Sequence, residues 1–447
     1  MPRYQPDRRM AARGRLVGSV VSGRWSVVTR LIARSSILHP PSSILNRTAG
    51  GGHPTACLIV LIALSVAPLT AAELPKFRAQ EIDPHAGNVV YAVVTADVDG
   101  DKKPDIVAVT ENRVVWYHNP DWKPRVIIAD QTDLDNVCIA PLDIDGDGKI
   151  DFALGAGWLN GKNLGTLQWL RRGDSLDDKW SVHAIGRESW THRVRWGDIL
   201  GTGKPQLVVS PLNKTVGNGV RVLAFEIPAN PKSDAWKSTV IDDAQDSMHA
   251  HWTGDFDGDG TSDVITAGMH GVFWLSRNRG GKIVKTQLGT GTPGEPKAQV
   301  TGAGEVKVGK LKGNRRFIAT VEPMHGNAIV VYTEPIAASR SLWDRHVLDD
   351  TLKRGHAVWV ADIDRDGSDE IVIGHSDPGT GSPAGPGVFV FDAVDDTGTK
   401  WEKHAIDNGG IATEDLICED FNGDGWIDIV AGGRATHNVK VYMNEGR

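Results

Sequence analysis

The feature that most limits what this chain can fold into is a nine-residue acidic run that keeps returning. It reads DVDGDKKPD from Asp97, DIDGDGKID from Asp143, DFDGDGTSD from Asp255, DIDRDGSDE from Asp362 and DFNGDGWID from Asp420. Two worn copies, DILGTGKPQ from Asp198 and KLKGNRRF from Lys310, fill the gaps, so seven starts recur about 54 residues apart. At such a period each unit is one supersecondary element that buries its apolar face only against its neighbours.

Within each unit the local pattern is strand. An apolar run follows the acidic loop (DIVAVT, DFALGA, DVITAG, EIVIGH, DIVAGG). A strand with one aromatic comes next: Trp116, Trp169, Phe225, Trp274, Tyr332, Phe391 or Tyr442. A last strand opens on Trp122, Trp180, Trp236, Trp343 or Trp401 in five of the units. Four strands repeated seven times predict an all-β, seven-bladed β-propeller over residues 75–447. The last unit stops one strand short, and KFRAQEID at 76–83 has the shape of the missing strand, so the N-terminal segment is expected to complete blade seven and remove the free sheet edges.

Residues 1–72 differ from the rest: they are rich in arginine, and ACLIVLIALSVAPL at 56–69 leads into TAAE. That anatomy predicts a signal peptide cut after Ala72 and a secreted or periplasmic protein, with the upstream part an over-extended gene start or a disordered leader. The apolar run is too short for a membrane span. Only Cys138 and Cys418 remain beyond it, which excludes a disulfide framework. The formal charge of −7 comes without a charge block, which argues against nucleic acid as a partner.

The DxDGDGxxD loop followed by DIVxG resembles the FG-GAP or VCBS repeat family, a likeness that implies the propeller fold and leaves function open. The loops can also be read from chemistry. Carboxylates at positions 1, 3, 5 and 9 on a glycine-bearing turn are hard oxygen ligands suited to calcium, Ca2+. The sets are Asp97, Asp99, Asp101 and Asp105; Asp143, Asp145, Asp147 and Asp151; Asp255, Asp257, Asp259 and Asp263; Asp362, Asp364, Asp366 with Glu370 or Asp369; and Asp420, Asn422, Asp424 and Asp428. Blades three and five have lost theirs. The role expected is structural.

His192, His249 and His356 each stand six residues before a loop start, and Glu414 takes the same place before Asp420. In a blade this sets them at the far end of the innermost strand, so histidines and acidic loops are expected on opposite faces. His270, His325, His375 and His437 follow second strands and are expected at the same channel mouth, with Glu322, Arg193 and Arg195 near it and Trp158 or Trp190 available to stack on a sugar. His251 is open between packing and function. His183, His346 and His404 recur as WxxH and read as repeat-register packing.

Imidazoles from separate strands can hold a transition metal such as Zn2+ or divide into ligands and a general base. RGHAVWVADIDRDGSDEIVIGHSD, residues 354–377, together with the histidine-headed inner strands, is similar to the propeller domain of the aldos-2-ulose dehydratase family, which eliminates water from keto-sugars. Nothing in the chain resembles the additional cupin-type domain of that family. The resemblance implies that His192, His249 and His356 bind a metal or polarise a carbonyl and that His270 or His325 moves the proton, on a carbohydrate or other small-molecule ligand. Two other readings stand beside it: a non-catalytic, integrin-like propeller holding a glycan or protein partner, and a uronate lyase using Arg193 and Arg195 to neutralise a carboxylate.

Overall fold

The computed structural model describes residues 73–158, 165–214, 220–335 and 342–447. The leader expected at 1–72 lies outside them. The described residues form seven four-stranded antiparallel sheets, and six of these use four consecutive strands. The seventh is built from Thr413–Glu419, Asp428–Gly433 and Val439–Asn444, with Phe77–Asp83 adding the outer strand. Its register runs from Phe77 opposite Asn444 to Asp83 opposite Val439, so the ring closes as the repeat arithmetic requires.

The innermost strands are Val90–Ala96, Asn136–Leu142, Thr191–Gly197, Met248–Gly254, Val306–Leu311, Gly355–Ala361 and Thr413–Glu419, and each touches the next around a closed ring. The second strands explain why the DIVAVT-type runs are apolar without alternation. All six residues of Asp105–Thr110, Asp151–Ala156, Asp263–Gly268 and Asp428–Gly433 are buried, because each sheet is covered on both faces by its neighbours. Outer strands such as Lys123–Ala129 and Ser181–Arg187 are exposed or half-buried along most of their length, because only one side meets the ring.

Recurrent aromatics lock blade to blade. Trp343 of blade five stacks on Phe256 in the loop of blade four at 5.7 Å, and Trp122 of blade one meets Phe421 in the loop of blade seven at 5.7 Å across the closing seam. The Asn119 side-chain amide donates to the Phe421 carbonyl at 2.7 Å over the same seam. Cys138 and Cys418 are both buried and free, so side-chain packing and strand pairing hold the ring. Among the described residues no helix is long and apolar enough to cross a membrane.

Candidate functional site: an imidazole cluster in the propeller channel

A shared irregularity of the inner strands aims the site's side chains. In six of the seven, the register with the second strand slips after the first residue, leaving one bulged residue unpaired. The bulged residues are Tyr91, Val137, His192, His249, His356 and Glu414. A bulge re-aims a side chain that a regular strand would send into a neighbouring sheet. Blade five pairs without a slip, and Glu305, one residue before its inner strand, takes the equivalent place. Glu305 therefore stands five residues before Lys310 instead of six, which is why counting back from the loops misses it.

Three imidazoles converge there. His249 Nε2 lies 2.9 Å from His325 Nε2, and one nitrogen each from His249, His325 and His356 lie within 4.8 Å of one another. The rings of His325 and His356 are stacked at 5.0 Å, and His192 sits 4.5 Å from the His249 ring. His325 reaches in from the turn after the second strand of blade five with φ +53°, a backbone conformation rare outside glycine.

The outer nitrogens are anchored. His192 Nδ1 is 2.9 Å from the His249 carbonyl oxygen and His356 Nδ1 is 2.5 Å from the Glu414 carbonyl oxygen, so both Nδ1 atoms donate and both Nε2 atoms keep their lone pairs. His249 Nδ1 is 2.9 Å from Glu305 Oε1, off the line of a good hydrogen bond. His192, His249 and His356 are at most 4 % exposed. Burial, with neighbouring imidazoles and Arg193 acting in the same direction, holds the pKa values of His192 and His356 well below the usual histidine range. Burial also lowers that of His249, against the pull of Glu305. The cluster is therefore neutral at pH 7. Two neutral Nε2 atoms 2.9 Å apart either share one proton or would face a common cation. With carbonyl and carboxylate oxygens behind the ligating rings, this donor set fits a transition metal.

Acid and base flank the cluster. Glu305 pairs with Arg193 at 2.5 Å, both buried, and Arg193 with His249 outweighs burial to hold the Glu305 carboxyl well below its usual range. Glu414 pairs with Arg434 and lies 3.6 Å from His356 Nε2; burial raises its carboxyl against Arg434 and Arg354. Tyr91, Trp158, His192, His325, His356 and Glu414 enclose a space of about 30 Å³, which suits one water or ion. Deeper in the channel, sharing Tyr91, Val137 and Arg193 with this space, a second chamber of about 260 Å³ extends toward the ends of the inner strands.

The remaining expected site residues fall apart from the cluster. His270 is part-exposed and pairs with Asp246 at 3.1 Å, so it is not brought to the imidazoles. Glu322 is buried within blade five by Tyr332, Arg345 and Thr320 and offers nothing to the mouth. His375 stacks on Phe389, His437 binds the Asn88 carbonyl, and His251 is buried with Nδ1 on the Ser210 hydroxyl. Trp158 packs against His192 and Tyr91. Arg193 is held by Glu305, and Arg195 lines the deeper chamber, so neither guanidinium is free beside the imidazoles as the uronate reading asks. Sequence reasoning passed over Glu305, Arg354, Arg434, Lys307 and Asp415. Only the Arg354–Gly–His356 adjacency offered a signal.

The acidic loops stand at the other end of the same strands. Asp255 follows the strand headed by Met248 and His249, about 20 Å away at the usual rise. Asp97, Asp143, Asp255 and Asp420 accept backbone N–H groups of their own turns, and position nine closes each loop: Asp105 on Val98 N, Asp151 on Ile144 N, Asp263 on Phe256 N and Asp428 on Phe421 N. In blade six Glu370 takes that place on Ile363 N, while Asp369 caps Lys310 of blade five. Blade three, which keeps only its position-one carboxylate, threads its turn with the Gln206 amide, bound to Leu200 N, Asp198 and Thr202. Arg171 occupies Asp145 and Asp147 in blade two.

Comparison with known proteins agrees with the repeat reading. Residues 97–154 match the FG-GAP-like repeat, and residues 164–335 match the family described as aldos-2-ulose dehydratase, beta-propeller domain. The aldos-2-ulose dehydratase of Phanerodontia chrysosporium is 30 % identical over 272 residues, which cover 56 % of this chain and 30 % of that protein's length. The family match runs from the third strand of blade two to the third strand of blade five. It thus includes His192, His249 and His325 and stops before the 354–377 stretch that first suggests the likeness. A structure solved for recognition of non-reducing terminal N-acetylglucosamine by an Agrocybe aegerita lectin covers 84 % of this chain and 96 % of its own at 14 % identity and a TM-score of 0.47.

Proposed function

Starting from the relation of blades two to five to the propeller domain of aldos-2-ulose dehydratase, we propose that this propeller catalyses elimination of water from a keto-sugar at the imidazole cluster. The observation that carries the reading is the convergence of His249, His325 and His356 from three blades, with the His356 Nδ1 anchored on a carbonyl and the His249 Nδ1 facing Glu305. Those three side chains would hold a divalent transition metal, which supplies Lewis acidity toward a carbonyl oxygen when bound.

The chain's own groups account for the proton movements. His192 is neutral with its Nδ1 committed to a carbonyl, so Nε2 is the base that takes the proton α to the sugar carbonyl. The imidazolium so formed returns that proton to the β-hydroxyl as its C–O bond breaks, with the Glu414–Arg434 pair on the same wall of the space. One C–H and one C–O bond are lost, one C=C bond forms, and water leaves. Arg354, whose Nε has no partner among the described residues, orients a neighbouring hydroxyl at the mouth. The enclosed space has room for one ion or water, so the sugar would stand at its opening, beside Trp158. Calcium in the acidic loops would be structural, and export would provide it.

The test is the ultraviolet absorbance of the conjugated enone on mixing zinc-supplied protein with an aldos-2-ulose. Wild type should turn over, and His249→Ala should lose about 10³-fold in kcat. Sugar binding without enone formation, unchanged in rate by His249→Ala, would make the protein a carbohydrate-binding module instead.

A further inference from the structure

The channel's deeper chamber carries charge that the imidazole chemistry does not use. We propose that it is a binding site for a small carboxylate with an apolar body, entered from the face of the acidic loops. Its walls are apolar, from Val93, Ile139 and Leu416 to the indoles of Trp196 and Trp359. Arg195 lines it, and its one hydrogen bond among the described residues goes to the carbonyl of its own neighbour, Val194, at 2.8 Å. Lys307, 7 % exposed, holds its ammonium 4.9 Å over the Trp359 ring and makes no hydrogen bond among the described residues. Arg193 is already taken by Glu305. The remaining carboxylate in the chamber, Asp415, uses one oxygen on Val93 N.

A half-buried guanidinium thus lines an apolar chamber, a buried ammonium stands against the Trp359 ring that forms part of its wall, and Asp415 is the carboxylate on its lining. A cation held among apolar walls without a hydrogen-bonded counter-ion is suited to receive an anion. The planar fork of a guanidinium matches a carboxylate two bonds at a time. The apolar walls disfavour phosphate, whose further oxygens would lose hydration without replacement. Size agrees: an apolar cavity of about 150 Å³ already admits benzene, and this chamber measures about 260 Å³. Thr95, Pro141 and Trp196, half-buried near the ends of their strands, form the entrance, at the end opposite the imidazoles.

Isothermal titration calorimetry of the whole purified protein with benzoate, its neutral counterpart benzamide and inorganic phosphate tests the site. Benzoate should bind at least about tenfold tighter than benzamide, and phosphate should not bind. Arg195→Gln should weaken benzoate about tenfold or more and leave benzamide unchanged, while His325→Ala should leave benzoate within about twofold. If Arg195→Gln does not fold by circular dichroism, Lys307→Met is read in its place and the wild-type ratio decides. Equal binding of benzoate and benzamide, phosphate binding in preference to benzoate, loss of benzoate binding in His325→Ala, or no benzoate binding up to about 10 mM would each overturn the proposal.

Discussion

At the scale of single residues, the channel depends on side chains whose positions the repeat only half reveals. His192, His249 and His356 could be found because the loops give a fixed origin to count from and all three carry the same bulge. Glu305 could not, because blade five lacks the bulge and shortens the count by one. His325 could be set at the mouth but not joined to the other imidazoles: its approach depends on a left-handed residue in a turn. His270, in the matching turn of blade four, points to Asp246. Glu305 has the larger energetic consequence. It is the counter-charge for buried Arg193 and faces His249, so Glu305→Gln leaves a buried guanidinium unpaired and should cost about 3–5 kcal/mol in a urea melt. A loss under about 1 kcal/mol would mean that Arg193 finds another partner.

At the scale of the element, the acidic loop is the most legible part of the chain, since its spacing fixes both the turn and the direction of the strands on either side. What the spacing could not show is that the loops differ. Blades four and seven carry their position-one, -three and -five side chains without a basic partner among the described residues, whereas Arg171 lies across the carboxylates of blade two. The position-nine carboxyls of Asp105, Asp151, Asp263 and Asp428 are pushed by burial up to about 6. The cation-free fold therefore binds these protons more tightly than the unfolded chain does, and its stability from them falls as pH rises from about 4 through 6. Calcium bound by these loops would need the deprotonated form, so a rise in Tm from it over chelated protein should be full at pH 7 and shrink as pH falls through about 6. Matched melts at pH 7 and pH 5 check this, and an equal calcium increment at both would speak against ion binding by these groups.

For the whole molecule, seven blades and N-terminal closure followed from counting strands, because a propeller with one blade a strand short has only one segment able to supply it. The seam is held by pairing of 77–83 with 439–444 and by the Trp122–Phe421 contact. Removing residues 73–83 exposes the Val439–Asn444 edge, and the shortened protein should lose its single cooperative melt and associate through that edge, as size-exclusion chromatography and calorimetry would record. An intact melt would mean that the inner ring alone holds the fold. Closure also brings Glu414 of blade seven and Tyr91 of blade one into the ring with the histidines, so the site is a product of all seven blades. Whether that ring is a metal site is measured most directly by elemental analysis of purified protein after zinc loading and desalting, for wild type and for the His249→Ala, His325→Ala, His356→Ala triple variant. Near one equivalent of transition metal in wild type, none in the variant and unchanged calcium in both is the expected result; equal transition-metal content in the two proteins, or none in either, would contradict it.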